Sequence, residues 1–187
     1  MQVGVVAIQG DFQKHIDALQ SCREGIVAKE VRTPEDLAQV ERLILPGGES
    51  TTVGLLMQRY GLGDAIKKAA DEDMPIWGTC MGMILMASRV SGRAQYTLDL
   101  LNIEVTRNAF GAQVHSFEDA VEVTGLDQPV LGVFIRAPIV SQVEAPAEIF
   151  AQYMGKVVGV RQGKRLGTSF HPELTDDLQL HEYFLKL

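Results

Sequence analysis

The first ninety or so residues alternate short apolar runs with segments of helical period, and this restricts the possible folds more than any other feature of the chain. Residues 3–8 form a near-continuous, β-branched run, as expected of a strand covered on both faces. Phe12, Ile16 and Leu19 then recur at helical spacing, and residues 25–31 give a second strand. Thr33-Pro34 reads as an N-cap followed by proline at the first helical position. Residues 43–45 make a third strand, ended by Pro46-Gly47-Gly48. Ser50 is the expected cap of a helix reaching Arg59, and another helix covers residues 63–70. Residues 75–77 are the fourth strand, followed by a helix over 81–90. Such alternation predicts an α/β fold of three αβα layers with a mostly parallel central sheet. The second half is richer in strands, at 101–107, 120–123, 130–135, 156–160 and 166–169, before a closing helix over 176–187. There is no repeat, low-complexity tract or linker, so residues 1–187 read as a single domain.

Charge and cysteine content narrow the functional class. A formal net charge of -7 argues against a nucleic-acid surface, because phosphate backbones need clustered Lys and Arg. No stretch approaches the ~20 apolar residues of a membrane span. The start, MQVGVVAIQGD, lacks the basic region and small-residue cleavage site of a signal peptide. Cys22 and Cys80 lie far apart and form no metal-type spacing, which points to a reducing cytosol.

Gly78-Thr79-Cys80-Met81-Gly82 is a G-x-C-x-G turn at a strand-to-helix junction. In a nucleophile elbow the reactive residue occupies such a strained corner, and the glycines admit close backbone approach. The helix N-terminus also favours a thiolate. A packed, inert thiol is the competing reading of the same residues. A cysteine nucleophile needs a base, and the base needs an orienting group. Of the four histidines, His15 and His181 fall in helical segments and read as surface residues, and His115 lies in a polar loop. His171 follows a strand in SFHPE, and the proline beside it favours an extended backbone that turns Glu173 to the same side. A plain His-Pro turn with a solvated carboxylate fits these residues equally well. PGGEST at residues 46–51 matches neither a P-loop nor a dinucleotide fingerprint. It could offer backbone N–H groups to a ligand at the end of a parallel strand, or be a plain turn. Arg107 and Arg136 sit at predicted strand ends, where either could grip a carboxylate. The Met81, Met83 and Met86 series reads as core filling.

GTCMG followed by HPE resembles the Cys–His–Glu triad of the class I glutamine amidotransferases. Within that family the chain is similar to the glutaminase subunits of pyridoxal 5′-phosphate synthase. GVVAIQGDFQKH, LILPGGESTT, GTCMG, RNAFGAQVHSFE, GVFIRAP and SFHPELTDD follow the family's order from residue 4 to 177. The resemblance implies a flavodoxin-like fold, with Cys80 as nucleophile, His171 as base and Glu173 as orienting acid. It implies that Gly48, Glu49, Ser50, Arg107, Ile135 and Arg136 bind L-glutamine, and that backbone N–H groups near Gly48 and Met81 hold the oxyanion. Gln9 and Gly10 are the expected sites of partner contact and activation. No metal or organic cofactor is implied. The implied partner is a (β/α)8-barrel synthase subunit within a large hetero-oligomer. Met81 and Ala112 depart from the family pattern, which has alanine and arginine there. A cysteine hydrolase or redox protein on a related fold would share the elbow, but gives no reason for PGGES, RNAFG and FIRAP to occur together.

Overall fold

In the computed structural model, which describes residues 1–108 and 116–187, the opening β-branched run forms β1 (Gln2–Val6). Phe12–Cys22 is α1, Val27–Val31 β2, Pro34–Leu37 α2 and Arg42–Leu45 β3. Ser50–Arg59 is α3, Leu62–Asp71 α4, Ile76–Thr79 β4 and Met81–Met86 α5. The strand-rich half comprises β5 (Ala87–Val90), β6 (Leu101–Thr106), β7 (Ser116–Val123), β8 (Val130–Ile135) and β9 (Ile139–Val143). It continues with β10 (Glu148–Tyr153), β11 (Lys156–Gln162) and β12 (Arg165–Thr168), and α6 (Gln179–Phe184) closes the chain.

Side chains of successive strand residues go to opposite faces of the sheet, and this divides the interior into two cores. Leu43, Leu45 and Ile76 pack on one face beneath α2 to α5, with Val53, Met57, Leu62 and Ile66. Ile44 and Trp77 point the other way, joining Ile16 and Leu19 of α1 and Leu180 and Phe184 of α6. Each fully buried aliphatic side chain contributes about 1.5–3 kcal/mol, so a strand buried on both faces holds its register firmly.

The main sheet runs β2-β1-β3-β4-β12-β11-β10-β7-β8. The first five are mutually parallel, and β12 turns antiparallel to β11. The carboxyl ends of β1, β3, β4 and β12 therefore share one edge. The chain leaves β1 for β2 on one side and returns to β3 on the other, so a topological switch point opens between β1 and β3. Ligands in open α/β sheets bind at such points.

Several boundaries differ from the sequence expectation. The helix expected over 81–90 stops at Met86, and β5 pairs in parallel with β6. Ser88 Oγ reaches the carbonyl oxygens of Leu101 (3.2 Å) and Ile103 (3.0 Å), tying this segment to a strand rather than to its own helix. The cap of α3 is Glu49, not Ser50: its carboxylate accepts from the N–H groups of Thr51 (3.2 Å) and Thr52 (2.8 Å). Thr33 does cap α2, in a reciprocal bond with Asp36. No helix of the described residues is long and apolar enough to cross a membrane.

Candidate active site

Cys80 stands at the junction of β4 and α5 with φ 50° and ψ -103°, a backbone region that L-residues rarely adopt. The flanking glycines make that corner possible. A Cβ on Gly78 would lie 2.6 Å from Gly82 O and 2.7 Å from Met83 N, and one on Gly82 would overlap the Leu45 carbonyl. Neither position admits a side chain, so the glycine spacing follows from the tightness of the turn. The other cysteine is different: Cys22 bonds Ala18 O at 3.3 Å, and burial pushes its thiol up to about 11. It is a packed residue.

The β4–β12 register sets the rest of the constellation. Thr79 pairs with Thr168, and Cys80 N donates to Thr168 O at 2.7 Å, which places the segment after β12 beside the thiol. His171 N is anchored to Val133 O at 2.8 Å. Its Nδ1 lies 2.7 Å from Glu173 Oε1, the glutamate being carried on a 3-10 turn (Pro172–Leu174). The backbone of His171, with φ -108° and ψ 88°, falls short of the extended conformation expected before Pro172. Burial alone would pull His171 down, but hydrogen bonds to Cys80 and Glu173 and their charges outweigh it and raise its pKa to about 10. A protonated imidazole beside the sulfur is the arrangement in which a cysteine–histidine pair works as thiolate and imidazolium.

The cleft in front of Cys80 has a volume of about 520 Å³. Gly48, Glu49, Ser50, Arg107, Ile135 and Arg136 all line it, as do Gln9, Gly10, Met81 and His171. The structure thus brings these sequence-derived residues together, drawn from the loops after β1, β3, β4, β6, β8 and β12. Glu173 is not in the lining; its side chain is buried behind His171. Arg136 has φ 44°, and Ile135 O lies 3.9 Å from Cys80 Sγ. Arg107 reaches Glu49 Oε1 at 3.6 Å and Gln95 Oε1 at 3.4 Å. Hydrogen bonds donated by the backbone N–H groups of Thr52, the larger contributor, and Thr51 hold the Glu49 carboxyl down to about 2. The loop after β1 packs onto the glycine pair after β3, since a Cβ on Gly10 would overlap Gly47 O.

The sequence reading missed Asp11, Ile84, Asn108 and Leu174 in the cleft wall, and Gln95, which joins Ser50 to Arg107. It also misplaced two histidines. His15 and His181 are fully buried rather than on the surface, and they hydrogen-bond to each other behind Glu173. A signal was available: His15 stands three residues after Phe12 and four before Leu19, on the apolar face of α1. Ala112 and His115 lie outside the described residues. No cluster of residues able to hold a metal ion occurs among the described residues.

The model of the SNO glutamine amidotransferase family matches residues 5–187. A pyridoxal 5′-phosphate synthase subunit PdxT from Herpetosiphon aurantiacus is 50% identical over 192 residues, covering 100% of each chain. One of the same name from Moorella thermoacetica is 46% identical over 188 residues, covering 100% of this chain and 99% of the relative. Among solved structures, a crystal structure of a glutamine amidotransferase superposes with a TM-score of 0.93 at 49% identity, over 98% of this chain and 97% of the other. The PurLQS structure from Thermotoga maritima shares the fold at 18% identity, with a TM-score of 0.70.

Proposed function

The chain belongs to the SNO glutamine amidotransferase family, and on that premise we propose that it hydrolyses L-glutamine to L-glutamate and ammonia and delivers the ammonia to a synthase subunit that makes pyridoxal 5′-phosphate. The observation that carries this reading is the strained Cys80 facing His171, which is bonded to a buried Glu173, at the floor of a cleft walled by polar residues.

In this mechanism Cys80 Sγ attacks the side-chain amide carbon of glutamine, forming a C–S bond while the carbonyl π electrons move to oxygen. Backbone N–H groups near Gly48 and Met81 stabilise the oxyanion. Met81 is the first residue of α5, where N–H groups have no partner within the helix, and one such donor is worth roughly 2.7–4 kcal/mol in related chemistry. His171 protonates the departing nitrogen as the C–N bond breaks, leaving a γ-glutamyl thioester and ammonia. It then takes a proton from water, which attacks the thioester and releases glutamate and the thiol. Glu173 holds the imidazole tautomer and steadies the imidazolium. Arg107 and Arg136, both in the cleft lining, grip the α-carboxylate of glutamine in this reading. Glu49, which lines the same cleft and is kept ionised by the N–H groups of Thr52 and Thr51, meets the α-ammonium in this reading.

The partner is a (β/α)8-barrel synthase subunit in a large hetero-oligomer within the cytosol, and it docks near Gln9 and Gly10. Residues 1–187 act as one glutaminase domain. The test is glutamate release from glutamine by the chain alone and with a matching synthase subunit, beside Cys80→Ala. Stimulation by the partner that is lost in the variant supports the reading. No hydrolysis by folded protein with a bound partner overturns it.

A further inference from the structure

Behind Glu173 lies a second, wholly buried file of imidazoles. His181 Nε2 is 3.0 Å from His15 Nδ1, and His15 Nε2 is 3.1 Å from Thr79 Oγ1 and 3.4 Å from Glu173 Oε2. We infer that His15, backed by His181, is a positioning residue for glutamine hydrolysis: its Nε2–H bonds Thr79 Oγ1 and presents the positive edge of the ring to Glu173 Oε2, 3.4 Å away, which keeps that carboxylate ionised and turned so that Oε1 receives the Nδ1–H of His171. The inference deepens the glutaminase reading and rests on it.

Hydrogen-bond accounting selects this arrangement. Burial drives both His15 and His181 down, His181 to about 3, so each is neutral and carries one N–H. The contact between the two rings needs one donor and one acceptor. If His15 were the donor, through Nδ1–H, His181 would have to accept at Nε2 and carry its proton on Nδ1. That atom is buried and has no partner, so a donor would be orphaned there. His15 Nε2 would then also turn a lone pair toward the Glu173 carboxylate. In the opposite sense His181 Nε2–H donates to His15 Nδ1, and only an acceptor, His181 Nδ1, is left unpaired. His15 Nε2–H then faces Glu173 Oε2 and Thr79 Oγ1.

The N–H of His181 then points to His15, and that of His15 to Thr79, with Glu173 Oε2 3.4 Å from the same nitrogen. Oε2 itself is buried and makes no full hydrogen bond, so the long approach of His15 is what offsets its charge, together with the N–H of Glu173's own backbone. Burial would raise the Glu173 pKa, and His15 and His171 reverse that. The packing partners impose the geometry. Trp77 meets both imidazoles edge-on, with ring centroids 5.8 Å from His15 and 5.0 Å from His181. The other titratable groups facing this cluster are Asp11 just before α1 and Cys80 across His171. Lys14, Asp17 and Asp176 border the shallow cavity on its outer side.

The test uses the complex with a matching synthase subunit. His15→Leu keeps volume and removes the donor, so kcat should fall about tenfold or more with the KM for glutamine within about twofold. Glu173 then ionises less readily, and the acid limb of the kcat profile should move up by about one pH unit. His15→Gln, which retains a side-chain N–H of similar reach, should recover most of the rate. Wild-type kcat and an unmoved acid limb in folded His15→Leu would overturn the inference, as would equal losses in both variants with an unchanged profile. Should His15→Leu fail to fold, nitrogen NMR of histidine-labelled wild type decides. Neutral Nε2–H forms of His15 and His181 support the assignment, and an Nδ1–H form of either refutes it. The NMR result does not depend on turnover, so failure of the glutaminase reading, seen as an inactive wild-type complex, stays distinguishable.

Discussion

Gly47→Ala gives the sharpest test of the site geometry. Gly47 does not occupy a positive-φ conformation, so alanine brings no backbone strain there, only a methyl group. That methyl would overlap His171 Cε1 and lie 3.2 Å from Nδ1 and 3.4 Å from Nε2. Restoring an ordinary carbon–carbon separation requires a shift of about 1.2–1.7 Å. The glycine backbone cannot supply it freely, because Gly10 is packed against the Gly47 carbonyl. The imidazole has to move, lengthening its 2.7 Å bond to Glu173 or swinging away from Cys80. A displacement of this size in a catalytic group costs about 10²-fold in rate. The expected outcome is thus a fall in kcat of about 10²-fold, measured as glutamate release in the presence of a synthase subunit. Melting temperature should change little, since the clash is relieved into the open cleft. A kcat within threefold of wild type would refute the placement of His171 against Gly47.

Two further outcomes follow from the electrostatics. Glu49→Ala removes the cap of α3, at a cost of about 1 kcal/mol, or roughly 2–4 °C in melting temperature for a chain of this size. It should also raise the KM for glutamine, and an unchanged KM in kinetic assays would remove Glu49 from the substrate contacts. Lowering the pH below 6.5 should destabilise the fold through His181. Its folded pKa lies below the unfolded value, so the unfolded chain takes up a proton that the native state refuses until about pH 3. The slope is at most about 1.4 kcal/mol per pH unit for one such group. Melts between pH 7 and pH 4 should show a shallower fall in His181→Phe, and identical slopes would contradict the buried, neutral assignment.

How legible the fold was in the sequence depends on where each strand lies. The parallel half could be read because β1, β3 and β4 are buried on both faces and appear as unbroken apolar runs between turn residues. β5 was hidden within MGMILMASRV, where apolar residues also satisfy a helical period, and only the carbonyl groups of β6 decide the matter. β9 and β10 escaped because IVSQV and EIFAQY are half exposed and take their definition from antiparallel partners distant in sequence. In the site, the cysteine, histidine and glutamate could be located from strand-end positions and from family resemblance. The inner face of α1 could not be read so easily, since a histidine at core spacing has the same pattern as one on a helix flank. The spacing to Phe12 and Leu19 leaned toward the core, and the Trp77 and His181 contacts show His15 there.

β12 has an implication for protein synthesis. It lies between β4 and β11, and the segment that follows it carries both His171 and Glu173. On a ribosome, the thiol-bearing turn emerges long before the residues that would activate it. A nascent chain ending short of residue 165 would hold a sheet split into two blocks and a cysteine without its base. On the proposed mechanism such a chain would consume no glutamine, and hydrolysis would start only once translation had passed β12 and supplied Glu173.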